Sequence, residues 1–430
     1  MSEQELNFVF NSFSFLIWGC LVMFMCAGFT MLESGSVRTK NAAVICLKNI
    51  GLYSISGLMF FFVGYNLMYV DVGSWVGTLK MFYGPSDSEI ALINGDAEAM
   101  TAVLDNGYSV MSDWFFQMVF VATTASIISG TIAERVRLWS FFLFTAILTS
   151  LIYPVVGAWT WGGGWLDQSG FQDFAGSTIV HSTGGWAALA GAIMMGPRLG
   201  KFLPDGTARP TVPSNIPLVT LGVFILWLGW FGFNGGSQLA LGGASNAVAM
   251  SNILVNTNLA AAAGVMAAII VSRPILGRID LLAGLNGAIA GLVAITAGPD
   301  IIEHHWAVII GAVGGVLCTA GIRLLEECKI DDVVGAVPAH LFAGIWGTLA
   351  VCIAGGGDLM TQLTGIAAVG VFVFGVSLLV WFAIDKIFGL RVTRSVEEVG
   401  QDAAELGIEA YPEFVLMPDA DISEELRANQ

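Results

Sequence analysis

Four histidines occur in the chain, His181, His304, His305 and His340. His304 and His305 adjoin at the edge of an apolar run, where an interfacial position is the simplest expectation. His181 and His340 instead lie inside apolar runs, and each follows an aspartate by eight residues: Asp173 in DFAGSTIVH and Asp332 in DVVGAVPAH. Each is followed by small residues and then a tryptophan, Trp186 and Trp346. An imidazole can donate at one ring nitrogen and accept at the other, so two isolated imidazoles in apolar surroundings can take up and pass on a proton. An ionisable group at membrane depth is by default a functional-site hypothesis; helix-packing histidines are the alternative. With no third Cys, Asp or Glu ligand at that depth, a metal site is disfavoured and none is assigned.

A second group is aromatic. In GWFGFNGGS, Trp230, Phe233 and Ser237 are spaced i, i+3, i+7 and share one helix face. Phe120 lies one turn beyond Phe116 in the run WFFQMVF, and Trp161 precedes Gly162–Gly164 at the end of another run. Ring faces attract a compact cation by about 0.5–2 kcal/mol each, and a serine hydroxyl accepts from an N–H donor. Together they suit a small ammonium-type ion. An interfacial aromatic belt is the competing reading; three apolar runs ending at one depth weaken it.

These side chains must be positioned by membrane helices. Of 430 residues 56% are hydrophobic and only 12% charged, against about 25% charged in soluble domains. That excludes a disordered chain, a nucleic-acid binder and an ordinary cytosolic enzyme. A span needs about 20 apolar residues. Eleven candidates follow, at 9–33, 43–70, 114–133, 138–160, 176–196, 216–238, 251–272, 281–298, 305–325, 336–355 and 363–388. The longest break, 71–113, is rich in Gly, Asp and Asn, and the chain turns polar and acidic after residue 390. This gives an all-α polytopic membrane protein with a transmembrane domain at 1–390 and a cytoplasmic tail at 391–430. The first run lacks a basic leader before Arg38 and reads as a retained span. The six cysteines form no C-x-x-C pair or Cys/His metal spacing and read as small apolar residues.

Seventeen Lys and Arg against 33 Asp and Glu give a net charge of −16, but the charges are not evenly spread. Arg38, Lys40, Arg135, Arg137, Arg198, Lys201, Arg209, Arg273, Arg278, Arg323, Lys329 and Arg394 fall in odd-numbered loops or after the last span; Lys80 is alone in the even-numbered ones. The positive-inside rule then puts the N-terminus outside and the C-terminus in the cytoplasm. Fourteen acids remain on the outer side. They raise the local cation concentration, or are simply the polar residues an outer loop accepts. Span 5 starts outside and span 10 inside, so the two Asp-to-His segments are inverted copies, the pattern of a transporter with its site near the midplane. Eight residues at about 1.5 Å each bring each histidine about 12 Å into a core of about 30 Å.

The motifs GFTMLESGSVRTKN, GTIAERVR, WGGG, DFAGSTIVH, GWFGFNGGS and DDVVGAVPAH resemble, in this order, those of ammonium transporters, the Amt branch of the Amt/Rhesus superfamily. The resemblance runs from residue 9 to about 415. It implies an inverted five-helix repeat plus an eleventh helix, a homotrimer of separate apolar pores in the cell membrane, ammonium or methylammonium as substrate, and no cofactor. Phe120, Trp161 and Ser237 match the outer recruitment site, with Asp173 supporting it. Phe120 and Phe233 match the gate, and His181, His340 and Trp230 match pore-lining residues. The tail GLRVTRSVEEVGQDAAELGIEAY matches the element that docks PII-type signal proteins. One departure is Gly335, where many members carry an acid; residues 416–430 match nothing useful.

A bare cation in an apolar pore carries a desolvation cost of many kcal/mol. The expectation is therefore that ammonium is recruited, loses its proton, and crosses as ammonia past the gate, with the histidines placed to relay the proton. A sensor acting through a partner and a neutral-gas channel are the rivals. A membrane enzyme is disfavoured, since the sequence has no nucleophile–base pair and no P-loop.

Overall fold

A computed structural model describes residues 1–210 and 212–412. Among the described residues all regular structure is helical, and nine helices are long and apolar enough to cross a membrane. Eleven helical segments carry the architecture: α1 (Glu3–Ser36), α2 (Ala42–Met59, continuing through Phe60–Gly64 and Tyr65–Tyr69), α3 (Val110–Thr131), α4 (Leu138–Ile147, continuing through Leu148–Ile152 and Tyr153–Thr160), α5 (Ser177–Ser182 then Thr183–Met195), α6 (Ile216–Gly236), α7 (Ala244–Leu276), α8 (Leu281–Ile295), α9 (His304–Glu327), α10 (Val337–Phe342 then Ala343–Ala354) and α11 (Leu359–Phe388). Each overlaps one of the eleven expected runs, and nine of them are spans by length and composition. The two outside the nine are α8, with 15 residues, and α5, whose sequence STIVHSTGGW interrupts its apolar residues with polar ones. Some helices overrun the expected boundaries because caps, not hydropathy, set their ends. Ser2 and Glu5 form a capping box at α1, and Asn215, Asp280 and Asp358 cap α6, α8 and α11. The break at 71–113 is not irregular throughout: it contains helices Asp87–Ile93 and Met100–Asp105.

The main core runs through the middle of the bundle and contains Phe29, Phe120, Ile179, Trp230, Phe233 and Trp381. Large apolar side chains such as Phe224, Met266, Val371 and Leu379 face outward, as lipid-facing or helix-packing surfaces require.

At one end, loops distant in sequence are tied by ion pairs. Glu134, held at φ +67°, receives the Arg38 backbone N–H at 2.8 Å and its Nε at 2.6 Å, and lies 3.3 Å from Arg198 Nη1. Asp331 takes Arg198 Nε at 2.8 Å and Nη2 at 2.9 Å, while its carbonyl accepts from Arg135 Nη2 at 2.6 Å. Burial alone would raise the Asp331 carboxyl, but the hydrogen bonds and charge of Arg198, with Arg135, hold it well below the usual carboxylate range.

The segment after α11 packs on this same end. Glu397 accepts from the Leu199 N–H at 2.6 Å and pairs with Arg391 at 2.7 Å. The Asp402 carboxylate receives the Ala43 and Val44 N–H groups at 2.8 and 2.7 Å, capping the start of α2. Lys40 donates to the Glu397 and Glu398 carbonyls. Replacing Asp402 with alanine leaves two N–H groups of α2 uncapped and removes one of the tail's anchors. The expected loss is about 1 kcal/mol, read as faster amide exchange in Arg394–Val399. Residues 413–430, including the stretch from 416, lie outside the described residues.

Candidate transport site

α5 and α10 share a construction. Each opens with a π-helical turn, Ser177–Ser182 and Val337–Phe342, that contains its histidine. Each turn is preceded by a left-handed glycine three residues after the aspartate: Gly176 at φ +104° and Gly335 at φ +78°. Glycine adopts this backbone without the clash a Cβ would bring; a Cβ on Gly176 would lie 2.6 Å from Val180 Cγ2 and 3.0 Å from Trp161. Freed from the helix, the aspartates cap it. Asp173 Oδ2 receives the Thr178 and Ile179 N–H groups at 2.9 and 2.8 Å, and Asp332 receives those of Gly335 and Val337 at 3.2 and 2.7 Å. The eight residues from Asp to His therefore do not form the straight α-helical rise expected from the sequence. They pass through a turn and a wider helix, because capping by the carboxylate competes with continued α-helix. The histidines are nonetheless buried, 0% exposed at His181 and 2% at His340.

The aromatic residues continue from the histidines in an unbroken series. The Trp161 Nε1 donates to the Asp173 carbonyl at 3.0 Å, fixing the indole, and its ring stands edge-on to Phe120 at 6.0 Å. Phe120 stacks on Phe233 at 3.9 Å and 25°. Phe233 is 5.2 Å from the His181 ring, on which Trp230 stacks at 4.8 Å. His181 and His340 meet Nδ1 to Nδ1 at 3.2 Å. With both neutral, one must donate and the other accept, so the two Nε2 atoms have opposite protonation. The Nε2 of His181 is buried and has no hydrogen-bond partner. Ser237 sits just past α6 and donates to the Phe233 carbonyl at 2.9 Å, which leaves its lone pairs able to accept. Its link to the group thus runs through Phe233. Burial pushes the Asp173 carboxyl up to about 6, against the pull of the Ile179 and Thr178 N–H groups.

Some supporting residues had no pattern to reveal them. Thr296 accepts the Trp230 Nε1 at 2.9 Å and contacts Asn234 at 3.2 Å, fixing the indole that stacks on His181. The Phe29 ring lies 6.4 Å from that of His340. Thr296 and Asn234 are ordinary polar residues in apolar runs, and they gain a role only because Thr296 accepts the buried indole N–H and Asn234 accepts from Thr296 in turn.

The model of the Ammonium Transporter Family matches residues 13–411. The chain belongs to this family. It is 38% identical to the ammonium transporter Amt2 of Archaeoglobus fulgidus, over 93% of this chain and 88% of that protein. It is 41% identical to a putative ammonium transporter of Synechocystis, over 94% of this chain and 90% of that one. Among solved structures, a sensor Amt protein superposes with a TM-score of 0.84 at 36% identity, covering 93% of this chain and 99% of that one. Mep2 of Candida albicans superposes with a TM-score of 0.77 at 27% identity, covering 96% and 94%. Membership makes the chain a multi-pass membrane protein of an ammonium-transporting family. At Gly335 any side chain would be strained at this φ, and its Cβ would meet Asn286 Nδ2 at 2.8 Å.

Proposed function

We propose that the protein is an ammonium transporter that recruits ammonium between Trp161, Phe120 and Ser237, strips its proton, and passes ammonia by the Phe120–Phe233 gate to a pore lined by His181, His340 and Trp230. The observation that carries this reading is the continuous order of rings, from Trp161 to Phe120 at 6.0 Å, on to Phe233 at 3.9 Å, and then to His181 at 5.2 Å, ending in two imidazoles 3.2 Å apart. A cation can be held by the outermost rings, but among the described residues no chain of carboxylates replaces its hydration shell further in. The neutral molecule passes more easily, and the imidazole pair is suited to carry the proton separately, making uptake electrogenic. Asp173 acts from behind, holding the turn on which the His181 backbone is built.

The test is current from purified protein on supported membranes, with ammonium, methylammonium and potassium as substrates. Ammonium and methylammonium give current and potassium does not. Trp161→Ala removes one cation–π partner and raises the half-saturating ammonium concentration roughly 2- to 30-fold. An unchanged value would favour a neutral-gas channel, and binding without uptake into liposomes a pure sensor.

The same reading includes eleven spans with the N-terminus outside, a homotrimer in the cell membrane, and a cytoplasmic tail from residue 391. The basic loops after α1, α3, α5 and α9 meet at one end with the tail, which supports a common cytoplasmic side. A tail fastened there can report a partner's binding to the helices. We expect a PII-type protein to be captured by the full chain and lost on removal of residues 391–430 in a pull-down; failure in every nucleotide state would remove this part.

A further inference from the structure

A buried charge remains that this pathway does not use. Glu33 of α1 is 0% exposed. Its Oε2 receives the Ser129 hydroxyl at 2.6 Å and lies 3.7 Å from Lys48 Nζ, which donates to the Ser129 carbonyl at 2.7 Å. Its Oε1 is buried and accepts no hydrogen bond. A carboxylate oxygen buried without a protein partner costs several kcal/mol unless a water meets it. A buried ion pair by itself is poor grounds for expecting stability, since apolar replacements often do as well.

Position gives the oxygen a use. Glu33 follows Phe29 by four residues on the same helix face, and Phe29 lies beside His340. Glu33 is thus about 6 Å further along α1, towards the loop that carries Arg38. A narrow cavity of about 10 Å³ is lined by Glu33, Phe29, Ser126, Asn286, Val334 and His340, the size of a single water. A larger cavity of about 260 Å³ shares Leu32, Asn286 and Val334 with it and is bordered by Arg198 and Lys201 at the ion-paired end. The two cavities thus adjoin at Leu32, Asn286 and Val334, the smaller touching His340 and Glu33 and the larger reaching the ion-paired end.

We infer that Glu33 is the proton station beyond the histidine pair. The inference rests on the proton-relay reading above. The N–H bond of protonated His340 breaks as an O–H bond forms on Glu33 Oε1 through one intervening water. This leaves a neutral imidazole and a neutral carboxylic acid. The acid then releases the proton to water in the larger cavity and returns to the carboxylate, and no electrons change hands. Lys48 and Ser129 hold Oε2, so the side chain presents Oε1 in both states.

The experiment measures two quantities on the same proteoliposomes: ammonium-evoked current, and ammonia flux from an internal pH dye. Because Glu33→Gln alone strands Lys48, the double variant E33Q/K48M, which removes both charges, is measured with it, and E33D is the conservative control. Current at least tenfold lower in E33Q/K48M, with flux within about threefold of the native protein and current partly restored in E33D, is the expected result. Flux and current falling together would make Glu33 a structural residue and overturn the inference, as would native current in the folded double variant. The double histidine variant H181A/H340A separates the two readings. Native current there defeats the relay itself, whereas native current in E33Q/K48M beside a silent H181A/H340A defeats Glu33 alone.

Discussion

Replacing His181 and His340 together with alanine removes the ammonium-evoked current. The two rings share one proton across 3.2 Å in a site with 0% and 2% exposure, so they are the groups placed to carry it. Positioned acid–base groups contribute about 10²–10⁴-fold to proton transfer, and a loss of at least a hundredfold in current is the corresponding outcome. Alanine at both positions also hollows the space between Trp230 and Phe29, which pack on the pair at 4.8 and 6.4 Å between ring centres. Selectivity between ammonium and potassium is read in the same measurement, because the hollowed space no longer excludes ions by the two rings. The measurement is solid-supported-membrane current with both ions. Native current together with native selectivity would remove the histidines from the mechanism.

A comparably large effect, on stability instead of transport, is expected at Asp331. Alanine there leaves Arg198 and Arg135, 5% and 0% exposed, without the carboxylate they share. Removing one member of a buried ion pair costs about 3–5 kcal/mol, and Asp331 has two cationic neighbours, so the upper part of that range is expected. The loss appears as a lower thermal midpoint in detergent and as reduced yield of folded protein. The pH dependence follows from the same contacts. The carboxyl is held below its ordinary range in the fold, so the unfolded chain binds its proton more readily. Its stabilisation is complete above the unfolded value of about 4 and is lost progressively as pH falls below it. In acid titration, Asp331→Ala should therefore flatten the native protein's loss of stability below pH of about 4.

This cluster shows how the charge pattern and the structure differ in what they convey. From the sequence, Arg38, Arg135 and Arg198 are merely basic residues in odd-numbered loops, consistent with one side of a membrane. In the fold, Glu134 and Asp331 join four loops through them. Their sequence separations are as large as 196 residues, and no local pattern encodes such a pairing. Asp402 is a similar case. In the sequence it is one acid of an acidic tail, yet it caps helix N–H groups that stand 359 and 358 positions earlier.

The sequence by itself determined the helical runs, because long apolar stretches have few ways to satisfy backbone hydrogen bonds away from water. It also singled out the histidines and the aromatic residues, because ionisable groups are rare in such runs and the Asp-to-His copies repeat at equal spacing. Tertiary structure alone decided their relations: the stack of Phe120 on Phe233, the Nδ1 contact of residues 159 apart, and the edge-on approach of Trp161. It also decided the turns at Gly176 and Gly335, where carboxylate capping displaced the α-helix that the spacing suggested. Glu33 marks the boundary most clearly. The sequence shows only an acid near the end of an apolar run. Its buried, unmatched oxygen beside the His340 cavity depends on how α1, α2 and α3 pack, and side-chain packing between helices is not written in the periodicity of any one of them.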